Sequence, residues 1–324
     1  MMKALIVGNL TYDVIRTRSG TTVSLGGPPS YAGLFLKRAG VSVDAISSFG
    51  DDIRPFLQTI NADVNIRSGN PSCLLTTSFS IEINERRSLR LLKRGCDISE
   101  RARDGYDAII INPVMQEVRI EDIEYYRSYT RVLYLDPQGF LRRAMGNRIG
   151  LVRDAKMLKY LKYVDYMKAD QEEVLALSGK KVLREGIKLL LNTGLKGLLL
   201  SEGSKRSSLI MADGAHYQLR VPHTNVLDGV GMGDLMGAGF LMGLALPEIY
   251  NMVKGKETIG VGTEAVNASD PRRMGLALGV SAAISSANMP ALKKVPEYNS
   301  ALSLARELYQ KVKALKPAKG YGIK

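Results

Sequence analysis

Short apolar runs that stop abruptly in polar loop residues recur along this chain, and they restrict its fold more than any other feature. Ala4-Leu5-Ile6-Val7 stops at Gly8-Asn9, 108–111 at Asn112-Pro113, 132–135 at Asp136-Pro137, and 197–200 at Ser201-Glu202-Gly203. Apolar runs without polar alternation mark strands buried on both faces. Helix-like stretches lie around and between them, at 31–39, 120–127, 171–177 and 183–192. Strand and helix in alternation predict an α/β fold, a doubly wound, mainly parallel sheet flanked by helices, with ligands bound at the carboxyl ends of the strands. Two segments, 13–25 and 73–95, break the rhythm and read as hairpins, which predicts a small β lid over a site. In the second hairpin Phe79, Ile81 and Ile83 fall on one side and Ser80, Glu82 and Asn84 on the other. The whole of 1–324 reads as a single domain, with a loop at 252–271 before a helix at 274–287.

A chain of 324 residues, 45% hydrophobic, has enough apolar surface for a large core. Its formal charge of +13 favours anionic partners. Arg86, Arg87, Arg90, Lys93 and Arg94 could serve a phosphate backbone, but they stand on the hairpin, where charges are ordinarily solvated, and no nucleic-acid reader motif accompanies them. Binding to nucleic acid is not expected. No stretch is long and apolar enough to span a membrane and the N-terminus turns polar early, so a cytoplasmic protein is expected. Cys73 and Cys96 read as ordinary small residues at strand ends, with no disulfide framework or metal cluster expected and their pairing left open by the sequence. His216 and His223 have no partner pattern for nucleophilic catalysis.

The chemistry concentrates in Asp228-Gly229-Val230-Gly231-Met232-Gly233-Asp234, a glycine-rich turn that opens a helix with small residues at Gly237, Ala238, Gly239 and Gly243. Free amides and the positive end of the helix dipole make such a turn an anion site. A carboxylate at Asp234 is ill placed for phosphate binding alone and makes sense as a base for a phosphoryl-accepting hydroxyl. By itself the motif also allows a plainer role, with Asp234 capping the helix and the glycines making a tight turn.

The turn is similar to the signature D-[TS]-x-G-A-G-D of the PfkB carbohydrate kinases, matched at Asp228, Gly231, Gly233 and Asp234. Other blocks follow in that family's order. Gly8 to Asp13 resembles its G-x-x-x-x-D element, Gly26-Gly27-Pro28-Pro29-Ser30-Tyr31 its G-G-x-x-x-N segment, and Gly50-Asp51-Asp52 its G-D-D turn. Lys168-Ala169-Asp170-Gln171-Glu172-Glu173 resembles K-x-N-x-x-E, and Gly203 beyond Ser201 the T-x-G segment. The chain thus resembles the PfkB, or ribokinase-like, carbohydrate kinases over most of its length.

That resemblance implies a kinase using ATP and Mg2+. Asp234 would be the base, with the amides around Gly231, Met232 and Gly233 holding the transferring phosphoryl group. Asp13, Gly26, Gly27 and Tyr31 would meet the substrate, joined by Asn112, Gln138 and Arg142 from the loops after two strands, with Gln116 a further lining candidate. Lys168, Asp170, Ser201, Gly203, Gly231 and Gly233 would adjoin the nucleotide, and Asp170 and Glu173 the metal. The resemblance also implies a homodimer through the lid. The chain departs from the pattern at Gly229, Met232, Tyr31 and Asp170, which leaves the accepting alcohol open. Three readings compete: a kinase for a neutral sugar, cyclitol or nucleoside, a phosphosugar kinase that uses Arg86, Arg87 and Arg90, and a silent ligand-binding relative.

Overall fold

The computed structural model describes the chain apart from residues 18–19, 62, 84–86, 147, 225–228, 255–269, 288, 290–293 and 316–324, and apart from the side chains of 58, 59, 61, 87 and 246–254. Sixteen strands make two sheets among the described residues. The central sheet takes β1 (Lys3–Val7), β4 (Ser42–Ser47), β5 (Asn65–Ser68), β8 (Tyr106–Ile111), β9 (Thr130–Leu135), β12 (Tyr166–Asp170) and β13 (Gly197–Ser201), with β14 (Arg206–Met211), β15 (His216–Arg220) and β16 (Lys313–Leu315) at one edge. Its order is β16-β15-β14-β13-β12-β9-β8-β1-β4-β5. From β13 to β5 all pairings are parallel, and the β14–β16 edge is antiparallel.

The unbroken apolar runs are explained by two cores, one on each face. In β1, Ala4 and Ile6 enter one core while Leu5 and Val7 enter the other. A solvated face would have demanded alternation, so the absence of alternation and the sandwiching by helices are one fact. The helix Met232–Lys254 runs against Pro271–Ser286. The approach is so close that a Cβ at Gly243 would lie 2.5 Å from the Gly275 Cα. Phe240 of the first helix packs on Tyr166 of the sheet, ring centroids 5.2 Å apart, which holds that helix against the sheet.

The lid is a second sheet of six strands, ordered β10-β11-β7-β6-β2-β3. Its strands are β2 (Thr11–Thr17), β3 (Gly20–Gly26), β6 (Ser78–Ile83), β7 (Arg87–Lys93), β10 (Arg142–Met145) and β11 (Arg148–Leu151). The two expected hairpins are both present. The third, β10–β11, replaces the loop expected at Arg142, because the run Arg142-Arg143-Ala144-Met145 has weak strand propensity and is extended only by pairing with β11. Much of 252–271 lies outside the described residues, and the helix expected at 274–287 is present as Pro271–Ser286.

Cys73 and Cys96 form a disulfide, Cα atoms 5.7 Å apart, which corrects their reading as ordinary small residues. They stand 23 positions apart in sequence, and β6 and β7 between them return the chain to its starting point. The bond closes the base of the lid excursion.

Candidate active site

Along the chain, β4 and β5 extend the sheet from one side of β1, and β8, β9, β12 and β13 from the other. The sheet therefore changes winding direction between β1 and β8, and a crevice opens beyond their carboxyl ends. A cavity of about 210 Å³ occupies it. Thr11, Asp13, Gly27 and Tyr31 wall one side, and Phe79, Ile81 and Leu89 reach in from the lid. Gln138, Arg142, Lys168, Asp170 and Glu173 follow, with Gly229, Val230, Gly231, Gly233 and Asp234 closing the floor. Residues spread over more than two hundred positions thus converge on one space.

The floor is the start of the helix Met232–Lys254. The first amides of a helix have no partner within it, so the turn offers donors to an anion. Gly231 is required here on two counts: its φ is +75°, and a Cβ would lie 2.6 Å from the Tyr31 ring. Tyr31 is 3% exposed and packs under the turn. That contact accounts for an aromatic ring where the resembling family has an amide. Met232 starts the helix and Asp228 lies outside the described residues.

Asp234 lines the cavity, and its Oδ1 accepts a hydrogen bond of 2.7 Å from Asn112 Nδ2. Burial and the nearby Asp136 carboxylate push its carboxyl up to about 6, against the pull of Asn112, Lys168 and Arg142. A carboxyl poised there is mostly ionised at neutral pH and can still take a proton. Lys168 Nζ, 3.0 Å from where a Gly233 Cβ would stand, lies beneath the anion turn. It donates to Asp136 Oδ2 at 2.9 Å and lies 4.0 Å from Glu173 Oε2. Burial opposes its charge, but the carboxylates outweigh burial and hold the ammonium well above its ordinary value.

Asp170 and Glu173 form a capping box at the helix Gln171–Ser178: the Glu173 N–H donates to Asp170 Oδ1 and the Asp170 N–H to Glu173 Oε2, both at 2.8 Å. Burial, opposed by Lys168, pushes the Glu173 carboxyl up to about 7. Among the described residues no group of three or more His, Cys, Asp or Glu side chains could hold a metal. Both carboxylates nevertheless face the cavity with one oxygen outside the box, so the donor set suits an ion held through water and not one ligated outright.

Several of the expected site residues stand off the cavity wall. Gly26 is off the cavity wall because it packs against Asp13: a Cβ there would lie 2.2 Å from Asp13 Oδ2. Gly27, on the wall, has φ +82°. Asn112 stands behind Asp234, bonded to it, and is not among the lining residues. Gln116 spends its N–H on Gly139 O at 3.1 Å and also stays off the wall. Ser201 and Gly203 lie outside the lining residues, since β13 ends two strands from β9 in the sheet. Arg90 is exposed while its neighbour Leu89 faces the cavity, as strand alternation demands; Arg86 and the Arg87 side chain lie outside what is described.

Two residues escaped the sequence reading. Asp136, 1% exposed, bridges Lys168 and the Gln138 N–H; its position at a strand's carboxyl end was the available signal. Glu117 accepts from the backbone N–H groups of Asn9, Val114 and Met115, joining the loops after β1 and β8. No local pattern marks it.

The model of the pfkB family of carbohydrate kinases matches residues 146–258. No curated protein matches. Among solved structures, a pyrophosphate-dependent kinase in the ribokinase family, complexed with a pyrophosphate analogue and myo-inositol, is 24% identical with TM-score 0.66 over 76% of this chain and 88% of its own. A sulfate complex of a pyrophosphate-dependent kinase in the ribokinase family is 20% identical with TM-score 0.71 over 95% and 99%. Ribokinase from Thermotoga maritima is 15% identical with TM-score 0.66 over 94% and 99%. At these identities the likeness is one of fold. The chain has the ribokinase-like fold, and its match to the pfkB family of carbohydrate kinases covers the segment that holds Lys168, Glu173 and the glycine turn at Gly231–Asp234.

Proposed function

We propose that the protein transfers a phosphoryl group to a hydroxyl of a small neutral polyol: a sugar, a cyclitol such as inositol, or a nucleoside. The observation that carries this reading is a carboxylate, Asp234, set in the cavity wall directly beside the Gly231–Gly233 anion turn. In the transfer the acceptor oxygen bonds to phosphorus as its proton passes to Asp234, and the bond from phosphorus to the donor's bridging oxygen breaks. The turn amides and Lys168 stabilise the charge on the phosphoryl oxygens. Asp13 offers a polar group to the acceptor, and the apolar lid residues Phe79, Ile81 and Leu89 exclude water. The apolar side chains that the lid sends to the cavity, Phe79, Ile81 and Leu89, favour a neutral acceptor over a phosphosugar.

ATP is the donor that the family match suggests. Inorganic pyrophosphate is a second reading, favoured by a cavity that sets Arg142 and Lys168 close to the anion turn while Ser201 and Gly203, expected beside a nucleoside, stand off its wall. Mg2+ would be held through water by Asp170 and Glu173 and would neutralise phosphoanhydride charge. Exposed Leu74, Leu75, Leu92 and Met145, on the lid and its base, suit a homodimer through the lid. None of the described helices is long and apolar enough to cross a membrane, and a cytoplasmic site of action is part of the proposal.

Screening the purified protein with ATP and with pyrophosphate, each with Mg2+, against sugars, phosphosugars, inositols and nucleosides tests the reading. A neutral polyol is expected to be phosphorylated. A phosphosugar alone would reverse the acceptor assignment, and no product from either donor would leave a ligand-binding protein.

A further inference from the structure

We infer that Asn112 is a positioning residue for Asp234, and that Gln138 and Arg142 hold Asn112 in the orientation that lets it act, which ties the base to lid strand β10. The inference rests on the proposed role of Asp234 and adds to it residues that the sequence had pointed at substrate.

The four side chains form a chain of hydrogen bonds with one direction. Arg142 Nη2 donates to Gln138 Oε1 at 2.8 Å, Gln138 Nε2 to Asn112 Oδ1 at 3.2 Å, and Asn112 Nδ2 to Asp234 Oδ1 at 2.7 Å. Each amide has a donor end and an acceptor end, so its orientation follows from its neighbours. The direction is fixed at both termini, where there is no choice: a guanidinium only donates and a carboxylate only accepts. Arg142 is anchored in turn by Nη1 on the Val114 carbonyl at 3.1 Å. Asn112 is 2% exposed, so turning its amide over would set its oxygen against the carboxylate with little water to screen the two. Among the described residues Asp234 Oδ2 has no hydrogen bond, which makes it the oxygen available to a hydroxyl in the cavity.

Arg142 is also the first residue of β10, which pairs with β11 and through it with β7 of the lid. A displacement of this hairpin moves the backbone that carries the guanidinium and so reaches Asp234 through two amides. The other groups that face Asp234 are Asp136 and Tyr134 of the β9 arm and Lys168 of β12. Asp136 opposes its ionisation, while Lys168, Arg142 and the Asn112 donor favour it. Removing the donor leaves Asp136 and burial less opposed, so the carboxyl must titrate at higher pH.

Two variants that keep side-chain size test the chain: Asn112→Leu and Gln138→Met. The Asp234 carboxyl is titrated by carbon NMR in aspartate-labelled protein, alongside the pH profile of turnover and the acceptor KM. Asn112→Leu is expected to raise the titration midpoint by about one pH unit, as loss of a hydrogen bond to a charged group implies. The acid limb of turnover should move with it while KM changes little, and Gln138→Met should shift both the same way by less. Midpoints that stay at the wild-type value, with lowered thermal stability only, would overturn the inference, as would a raised KM with an unmoved acid limb. Should the wild-type protein phosphorylate no acceptor, the role of Asp234 as a base falls, and the NMR titration still decides whether the chain controls its ionisation.

Discussion

Burial and the Asp136 carboxylate oppose ionisation of Asp234, shifting its carboxyl from the ordinary 3.8 to about 6. Because the folded state holds the proton to higher pH than the unfolded chain, this group's contribution favours folding below about pH 4 and is lost as pH rises through 6. Asp234→Asn is therefore expected to stabilise the protein at pH 7.5, on the order of 1–3 kcal/mol, and to do almost nothing at pH 4. Denaturant melts at the two pH values check this, and equal effects at both would contradict it. The glycine-rich turn that opens the helix, with Asp234 in its first turn, was legible because clustered glycines before a helix start form a sequence pattern. Tyr31 was legible as a departure but not as a packing partner, since its ring meets Gly231 only through the fold. Glu117 was not legible at all, because the three amides it collects come from two loops over a hundred positions apart in sequence.

Among the elements, β1, β8, β9 and β13 followed from apolar runs and the two main lid hairpins from the break in that rhythm, whereas β5 was not legible in Asn65–Ser68. The β10–β11 hairpin did not, because its partner supplies the order that Arg142-Arg143-Ala144-Met145 lacks. Alternation on β7 makes a sharp contrast between neighbours: Leu89 faces the cavity and Arg90 is exposed. Leu89→Asp should raise the acceptor KM by about ten-fold, the scale of one lost apolar contact, and Arg90→Ala should leave it within about two-fold. The opposite order in steady-state kinetics would place the lid's other face over the substrate. At the lid base, the Cys73–Cys96 bond closes a loop of 23 residues, and chain entropy gives such a bond about 3 kcal/mol. Reduction, or Cys73→Ser with Cys96→Ser, should lower stability on that scale in urea melts. Identical melts with and without reductant would show that the bond contributes nothing to the fold.

For the molecule as a whole, the alternation of strand and helix implies a doubly wound parallel sheet, and its strand order puts the carboxyl ends of β1 and β8 at one crevice. Helix, lid and strand ends then bring the anion turn, the buried Lys168 and Asp234 to a single cavity. Charge balance pointed the same way only in general terms, since a net +13 attracts anions without naming one. What sequence could not supply was the convergence of side chains such as Asp136 on Lys168, for which no spacing rule exists. The account as a whole stands on transfer that needs one carboxylate. The most direct measurement is phosphorus NMR of product formed from ATP or pyrophosphate and a polyol such as myo-inositol, by wild-type protein and by Asp234→Asn. Wild-type protein should form the phosphate ester, and the variant should bind donor and acceptor yet turn over at least about a hundred-fold more slowly. Comparable rates from the two proteins would contradict it.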